Sequence, residues 1–161
     1  MKRNHPLLIA FFYLVGFLIL NFSGLAIGAW AMADGPQSDW YLALNKAPWT
    51  PPGWVFGAAW SLIMLCFSIY LTRLIMLPAS NRWVLLFAIS WGLNVIWNFI
   101  FFSQHWVILA LAVIVALFFC IGVFFIYAPR PALTHWRYLL LPYLIWLAIA
   151  ISLNAYIAGF N

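Results

Sequence analysis

The 161-residue chain holds 11 Trp, 7 Tyr and 15 Phe against two acidic side chains, so any chemistry it performs must rest on ring faces and neutral polar groups. Three sets stand at helical spacing. Trp91, Asn94, Trp97, Asn98 and Phe101 follow steps of three and four, Phe56, Trp60, Met64 and Phe67 do the same, and Pro142, Trp146, Ala150 and Asn154 follow steps of four. On an α-helix each set forms one stripe. Indole faces stack on a planar apolar molecule, while indole N–H and carboxamide groups meet its polar edge. Read without a ligand, the same stripes mean helix packing, with Asn bonded across to a neighbouring helix. Other chemistry is excluded: no Ser-His-Asp set, HExxH or paired carboxylate appears. An ion-coupled pump keeps an acid, His or Lys in mid-membrane, and this chain has none there. His5, His105 and His135 flank the apolar runs, which disfavours bis-His haem ligation, and no metal site is expected. Cys66 and Cys120 read as small apolar packing residues.

Only helices in a bilayer can position such stripes in this composition. Hydrophobic residues make up 68% of the chain and charged residues 6%, where a soluble domain carries about 25% charged. A water-soluble globule is thereby excluded. About 20 uncharged residues cross roughly 30 Å of hydrocarbon as a helix. The uncharged runs 4–33, 47–72, 83–129 and 138–161 qualify, and the third is long enough for two crossings if Ser103-Gln104-His105 turns the chain. The expected fold is an all-α integral membrane protein, a single five-helix membrane domain over 1–161. Its helices lie near 7–31, 54–77, 83–102, 107–127 and 138–158, with a long extramembrane loop at 34–53. A β-barrel would alternate apolar and polar residues, and these runs do not.

Five crossings place Lys2, Arg3, Arg73, Arg82, Arg130 and Arg137 on one side, and Lys46, Asp34 and Asp39 on the other. The positive-inside rule then predicts a cytoplasmic N-terminus and an outside C-terminus, in a bacterial inner membrane. The net charge of +5 is a topology signal, not a nucleic-acid footprint. Lys2-Arg3, an apolar stretch and Ala31-Met32-Ala33 imitate a signal peptide, but the stretch exceeds the 7–15 residues of a signal core.

The 34–53 loop is rich in Trp, Tyr and Pro, unlike a Gly/Ser spacer, which predicts that it folds onto the bundle. It reads Trp40-Tyr41-x-x-Leu44-x-Lys46-x-x-Trp49-x-Pro51-Pro52, followed by Phe56 and Trp60. Trp and Tyr also gather at membrane interfaces as anchors. Two more segments stand in order: Leu93-Asn94-x-x-Trp97 with Phe101-Phe102, and Pro142-Tyr143-Leu144-x-Trp146 with Leu153-Asn154. Together these strings resemble the tryptophan-rich sensory protein or translocator protein family, also called the peripheral benzodiazepine receptor family, in its bacterial form. The chain departs from the pattern in reading Lys46-Ala47-Pro48-Trp49, with the proline one place late. Tyr156 is followed by Ile-Ala-Gly-Phe-Asn without Lys or Arg, so the cholesterol pattern of animal members is incomplete.

The resemblance implies a receptor for protoporphyrin IX and other tetrapyrroles, and for isoquinoline and benzodiazepine drugs, acting in porphyrin or oxidative-stress handling. No cofactor is required; the porphyrin is the ligand. Ligand-binding residues would be Tyr41, Lys46, Trp49, Trp60, Asn94, Trp97, Trp146 and Ala150. Light- and oxygen-dependent porphyrin breakdown, associated with some bacterial relatives, would use Trp60 and Trp146 as oxidisable partners. The alternatives are a carrier for porphyrin or another amphipathic metabolite, and a structural membrane protein whose aromatics only pack. Gly24-x-x-x-Gly28 and Ala88-x-x-x-Gly92 allow close backbone contact, within one copy or between two. The resemblance favours a homodimer through the helices that carry them.

Overall fold

In the computed structural model, residues 6–78, 81–127 and 130–161 are described, the side chains of 130 and 131 excepted. Lys2, Arg3, His5 and the Arg130 side chain lie outside that set. Among the described residues the chain is helical and carries no strand. Long helices are α1 (Pro6–Ala31), α3 (Gly53–Ile75), α4 (Asn81–Asn98), α5 (Val107–Tyr127) and α7 (Leu141–Phe160), joined by short helices α2 (Asp39–Ala43) and α6 (Arg130–Leu133). Five segments built on the long helices are long and apolar enough to cross a bilayer. Their bounds fall within a few residues of those expected from the uncharged runs.

Local chemistry sets the ends. Pro6 and Pro142 occupy first turns, where a missing N–H costs nothing, and Pro52 directly precedes α3. Ser38 caps α2 by accepting from the Tyr41 N–H at 3.3 Å. The expected third span differs in one respect. After Asn98 the helix widens into a π turn, Phe99–Ser103, and ends where His105 takes a left-handed φ of 58°. Ser103 Oγ donates to the Ala31 carbonyl at 2.6 Å, fastening this turn to the end of α1.

The long helices pack in a closed ring, in the order α1, α3, α7, α5, α4 and back to α1. Bulky side chains from α3, α4, α5 and α7, including Phe67, Tyr70, Phe87, Phe124, Tyr143 and Leu147, fill one half of it. Leu7, Phe12, Ile108 and Phe119 point outward as an apolar surface for lipid. Polar side chains inside the ring bridge helices. Asn21 Nδ2 donates to Ser68 Oγ at 2.8 Å, the Tyr70 hydroxyl to the Phe124 carbonyl at 3.1 Å, and Trp91 Nε1 to the Leu20 carbonyl at 2.8 Å. Cys66 and Cys120 are free and half-buried on α3 and α5.

The glycine patterns divide. Gly24 and Gly28 are buried, and a Cβ at either would stand 2.7 Å from Trp91 Nε1 or Asn98 Nδ2 of the same chain. The expectation that they form a dimer contact is therefore corrected: α4 already covers that face. Ala88 is exposed, and nothing lies within 4 Å of a Cβ placed on Gly92. Overpacking a fitted interface costs about 1–3 kcal/mol. Gly24→Leu is expected to lower the unfolding stability of the single chain by that order in detergent, whereas Gly92→Leu, which meets no neighbour within the chain, lowers it less; equal effects would contradict the packing.

Candidate functional site

The other half of the ring is open between α1, α3 and α4, and it holds a cavity of about 550 Å³. That size suits a drug-sized ligand, for which pockets run about 300–1,000 Å³. Each wall is a stripe set by helical periodicity. Leu25 and Ala29 come from α1, and Met32 from the turn that follows it. Phe56 and Trp60 come from α3 with Gly53, Gly57 and Ser61, so small residues alternate with rings and leave the space between them. Asn94, Trp97 and Asn98 come from α4, and Phe102 from the π turn.

The 34–53 segment closes the mouth with Pro36, Tyr41, Lys46, Thr50 and Pro51. Its fold onto the bundle rests on specific contacts. Trp40 stacks on His105 with ring centroids 4.0 Å apart, and Tyr41 packs against Phe101 and Phe102. The Asn161 side chain accepts from the Asn45 N–H at 2.8 Å and donates to its carbonyl at 3.2 Å. Trp49 Nε1 donates to Ser152 Oγ at 3.1 Å, and its ring meets Tyr156 edge-on. The segment is thus tied to α7 and to the turn between α4 and α5.

Five of the eight residues expected to bind a ligand line this cavity: Tyr41, Lys46, Trp60, Asn94 and Trp97. Trp49, Trp146 and Ala150 are not among its lining residues. Trp49 is turned away because its N–H finds the α7 hydroxyl of Ser152. Trp146 is only 6% exposed and stands behind Phe56, whose ring meets it edge-on at 5.2 Å. Ala150, half-buried, packs against the filled half of the ring. The physical reason is the ring order: α7 sits between α3 and α5, while the cavity opens toward α1 and α4.

The wall offers stacking faces, donors and one cation. Trp97 lies parallel to Phe101 at 5.2 Å, and its Nε1 is buried without a hydrogen-bond partner. Trp60 meets Tyr143 edge-on at 5.8 Å, and Asn94 Nδ2 donates to the Tyr143 hydroxyl at 2.8 Å, which fixes the carboxamide. Lys46 Nζ lies 4.7 Å from the Tyr41 ring centre and 3.5 Å from the Leu42 carbonyl. Burial raises the Tyr41 phenol above its ordinary pKa, so at neutral pH it stays a hydroxyl. Asn154, 2% exposed, has neither amide atom paired and lies apart from the cavity lining.

Met32, Gly57, Ser61 and Thr50 belong to the wall without having been singled out from the sequence. The signal was present for two of them, since Gly57 and Ser61 continue the Gly53 step of four beside Phe56 and Trp60. Thr50 and Met32 enter through the fold of the loop, which periodicity does not encode.

Five apolar helices in a closed ring, with an aromatic cavity under a folded loop, define a polytopic membrane protein of ligand-binding shape. A family model described as the TspO/MBR family matches residues 15–159, and the chain belongs to that family. It is 30% identical over 125 residues to the "Tryptophan-rich sensory protein" of Cereibacter sphaeroides, covering 72% of this chain and 73% of that protein. It is 30% identical over 125 residues to "Protein CrtK" of Rhodobacter capsulatus, covering 71% and 74% respectively. The "Tryptophan-rich protein TspO" of Archaeoglobus fulgidus is 31% identical over 129 residues, covering 79% and 82%.

Proposed function

We propose that this protein is a membrane receptor for porphyrins, protoporphyrin IX among them, acting in porphyrin or oxidative-stress handling. The observation that carries the reading is the cavity of about 550 Å³ whose walls are the Trp60 and Trp97 indoles, with Lys46 at its mouth. A tetrapyrrole gains from offset stacking on such rings, each contact contributing about 0.5–1.5 kcal/mol beyond buried area. Its propionates remain at the mouth, within reach of the Lys46 ammonium. Family membership and the relatives named for a tryptophan-rich sensory protein support the sensory side of this reading.

The basic end of the bundle, with Arg73, Arg82 and Arg137, faces the cytoplasm of a bacterial inner membrane, and the cavity mouth faces outward. Of the two tryptophans expected to share photochemistry, Trp60 alone stands in the cavity wall, so it is the side chain that an excited pigment oxidises directly. A second copy docks on the open α4 face at Ala88 and Gly92. In that case Gly92→Leu shifts the detergent-solubilised mass from dimer to monomer, and an unchanged dimer mass contradicts the contact.

Titration with protoporphyrin IX, read by quenching of tryptophan fluorescence, tests the receptor reading. Wild type is expected to saturate, with Trp60→Ala and Trp97→Ala each weakening binding by about three- to tenfold. Trp30→Ala, on the lipid-facing side, leaves affinity unchanged. Lys46→Gln weakens the free acid and leaves the dimethyl ester unaffected. Under illumination in air, Trp60→Phe slows pigment loss and Trp146→Phe does not. Equal affinity across all variants would return these residues to packing.

A further inference from the structure

The end of the bundle opposite the cavity carries a second constellation that ligand binding leaves unused. Arg73, in the last turn of α3, lays its guanidinium over the Trp136 ring, 4.3 Å from its centre. Arg137, the next residue, lays its own over Phe125 of α5 at 5.2 Å and over Tyr138 at 5.3 Å. The 3₁₀ turn Trp136–Leu140 that holds these residues packs against α3 and α5, so both cations share one ledge. Arg137 is half-buried, its Nε is sealed without a hydrogen-bond partner, and one terminal nitrogen reaches the Tyr138 hydroxyl at 3.5 Å.

No carboxylate neutralises the ledge, because the two acids of the chain, Asp34 and Asp39, lie at the other end, in the 34–53 segment. A guanidinium over a ring still presents N–H groups at its edge, and for Arg137, whose Nε is sealed, these are the terminal Nη groups, which can hold phosphate oxygens by charge-assisted bonds. The ledge also stands where α3 and α5 end and α7 begins, at the level of the lipid headgroups. Met76 and Leu141 beside it are exposed, and so is the Tyr138 ring, which supplies apolar surface for the upper part of an acyl chain.

The geometry points to a specific site for an anionic phospholipid, in which Arg73 and Arg137 hold the phosphodiester while Trp136, Tyr138 and Leu141 face the glycerol and the first acyl carbons. Charge alone does not distinguish this place from Arg82, which lies over its own neighbour Trp83 at 4.9 Å. The difference is that two guanidiniums, Arg73 over Trp136 and Arg137 over Phe125 and Tyr138, stand at one turn. Lipid is favoured over free phosphate because the exposed apolar side chains continue from the ledge into the membrane.

Native mass spectrometry of the full chain in detergent tests the site, with phosphatidylglycerol and phosphatidylcholine of matched acyl length as probes. Wild type is expected to hold one phosphatidylglycerol about tenfold more tightly than phosphatidylcholine, the size of one charge-assisted hydrogen bond. Arg73→Gln with Arg137→Gln removes that preference, Arg137→Lys keeps part of it, and Arg82→Gln leaves it whole. Equal binding of the two lipids by wild type overturns the proposal, as does a double variant that retains the preference. Inorganic phosphate that displaces phosphatidylglycerol at equal concentration overturns the lipid assignment. The wild-type comparison of the two lipids stands even where the double variant does not fold.

Discussion

Hydrocarbon offers no hydrogen bonds, and that constraint shapes every part of this molecule. Backbone groups are satisfied inside helices, and four polar side chains of the ring bridge neighbouring helices. Asn21 joins α1 to α3 through Ser68, Tyr70 joins α3 to α5, Trp91 joins α4 to α1, and Asn94 joins α4 to α7 through Tyr143. These bonds, about 1 kcal/mol each in lipid, fix the order of helices more than they add to stability. Packing does the rest, with Gly24 and Gly28 letting α4 come close enough for Trp91 and Asn98 to lie on the α1 backbone.

The cavity is a consequence of where the large side chains run out. On α3 the sequence changes from Phe67, Tyr70 and Leu71 at the basic end to Gly53, Gly57 and Ser61 at the loop end, and opposite stand Leu25 and Ala29 of α1 with Met32 just past its end. The ring stays closed while its interior empties. A water-filled opening there would leave indole faces without partners, so the proline-bearing segment covers it, held by Trp40 on His105 and by Asn161 on Asn45. The same segment brings the cation Lys46 to the mouth, opposite in polarity to the edge of an acidic planar ligand.

Sequence reasoning reached the helices because hydropathy and the position of charges are read along the chain itself. It placed the turn at Ser103-Gln104-His105, where the left-handed His105 breaks the helix. It also found the two cavity stripes on α3 and α4, since periodicity says which residues share a face. Periodicity does not say which neighbour that face meets. The Pro142-Trp146-Ala150-Asn154 stripe is as regular as the one on α4, yet Trp146 is buried behind Phe56 because α7 sits next to α5. Trp49 falls outside the cavity lining for a similar reason: its N–H partner, Ser152, is 103 residues away. Gly-x-x-x-Gly likewise marks a close approach without naming the helix that makes it.

Filling the cavity tests the central claim most directly. Gly57 lies in its wall, and nothing stands within 4 Å of a Cβ built there, so Gly57→Trp starts its side chain into open space. Porphyrin affinity and thermal unfolding measured on this variant beside wild type are expected to separate, with saturable quenching lost and the unfolding midpoint retained. Undiminished porphyrin affinity in Gly57→Trp would contradict the account, because the pigment would then bind somewhere other than between α1, α3 and α4.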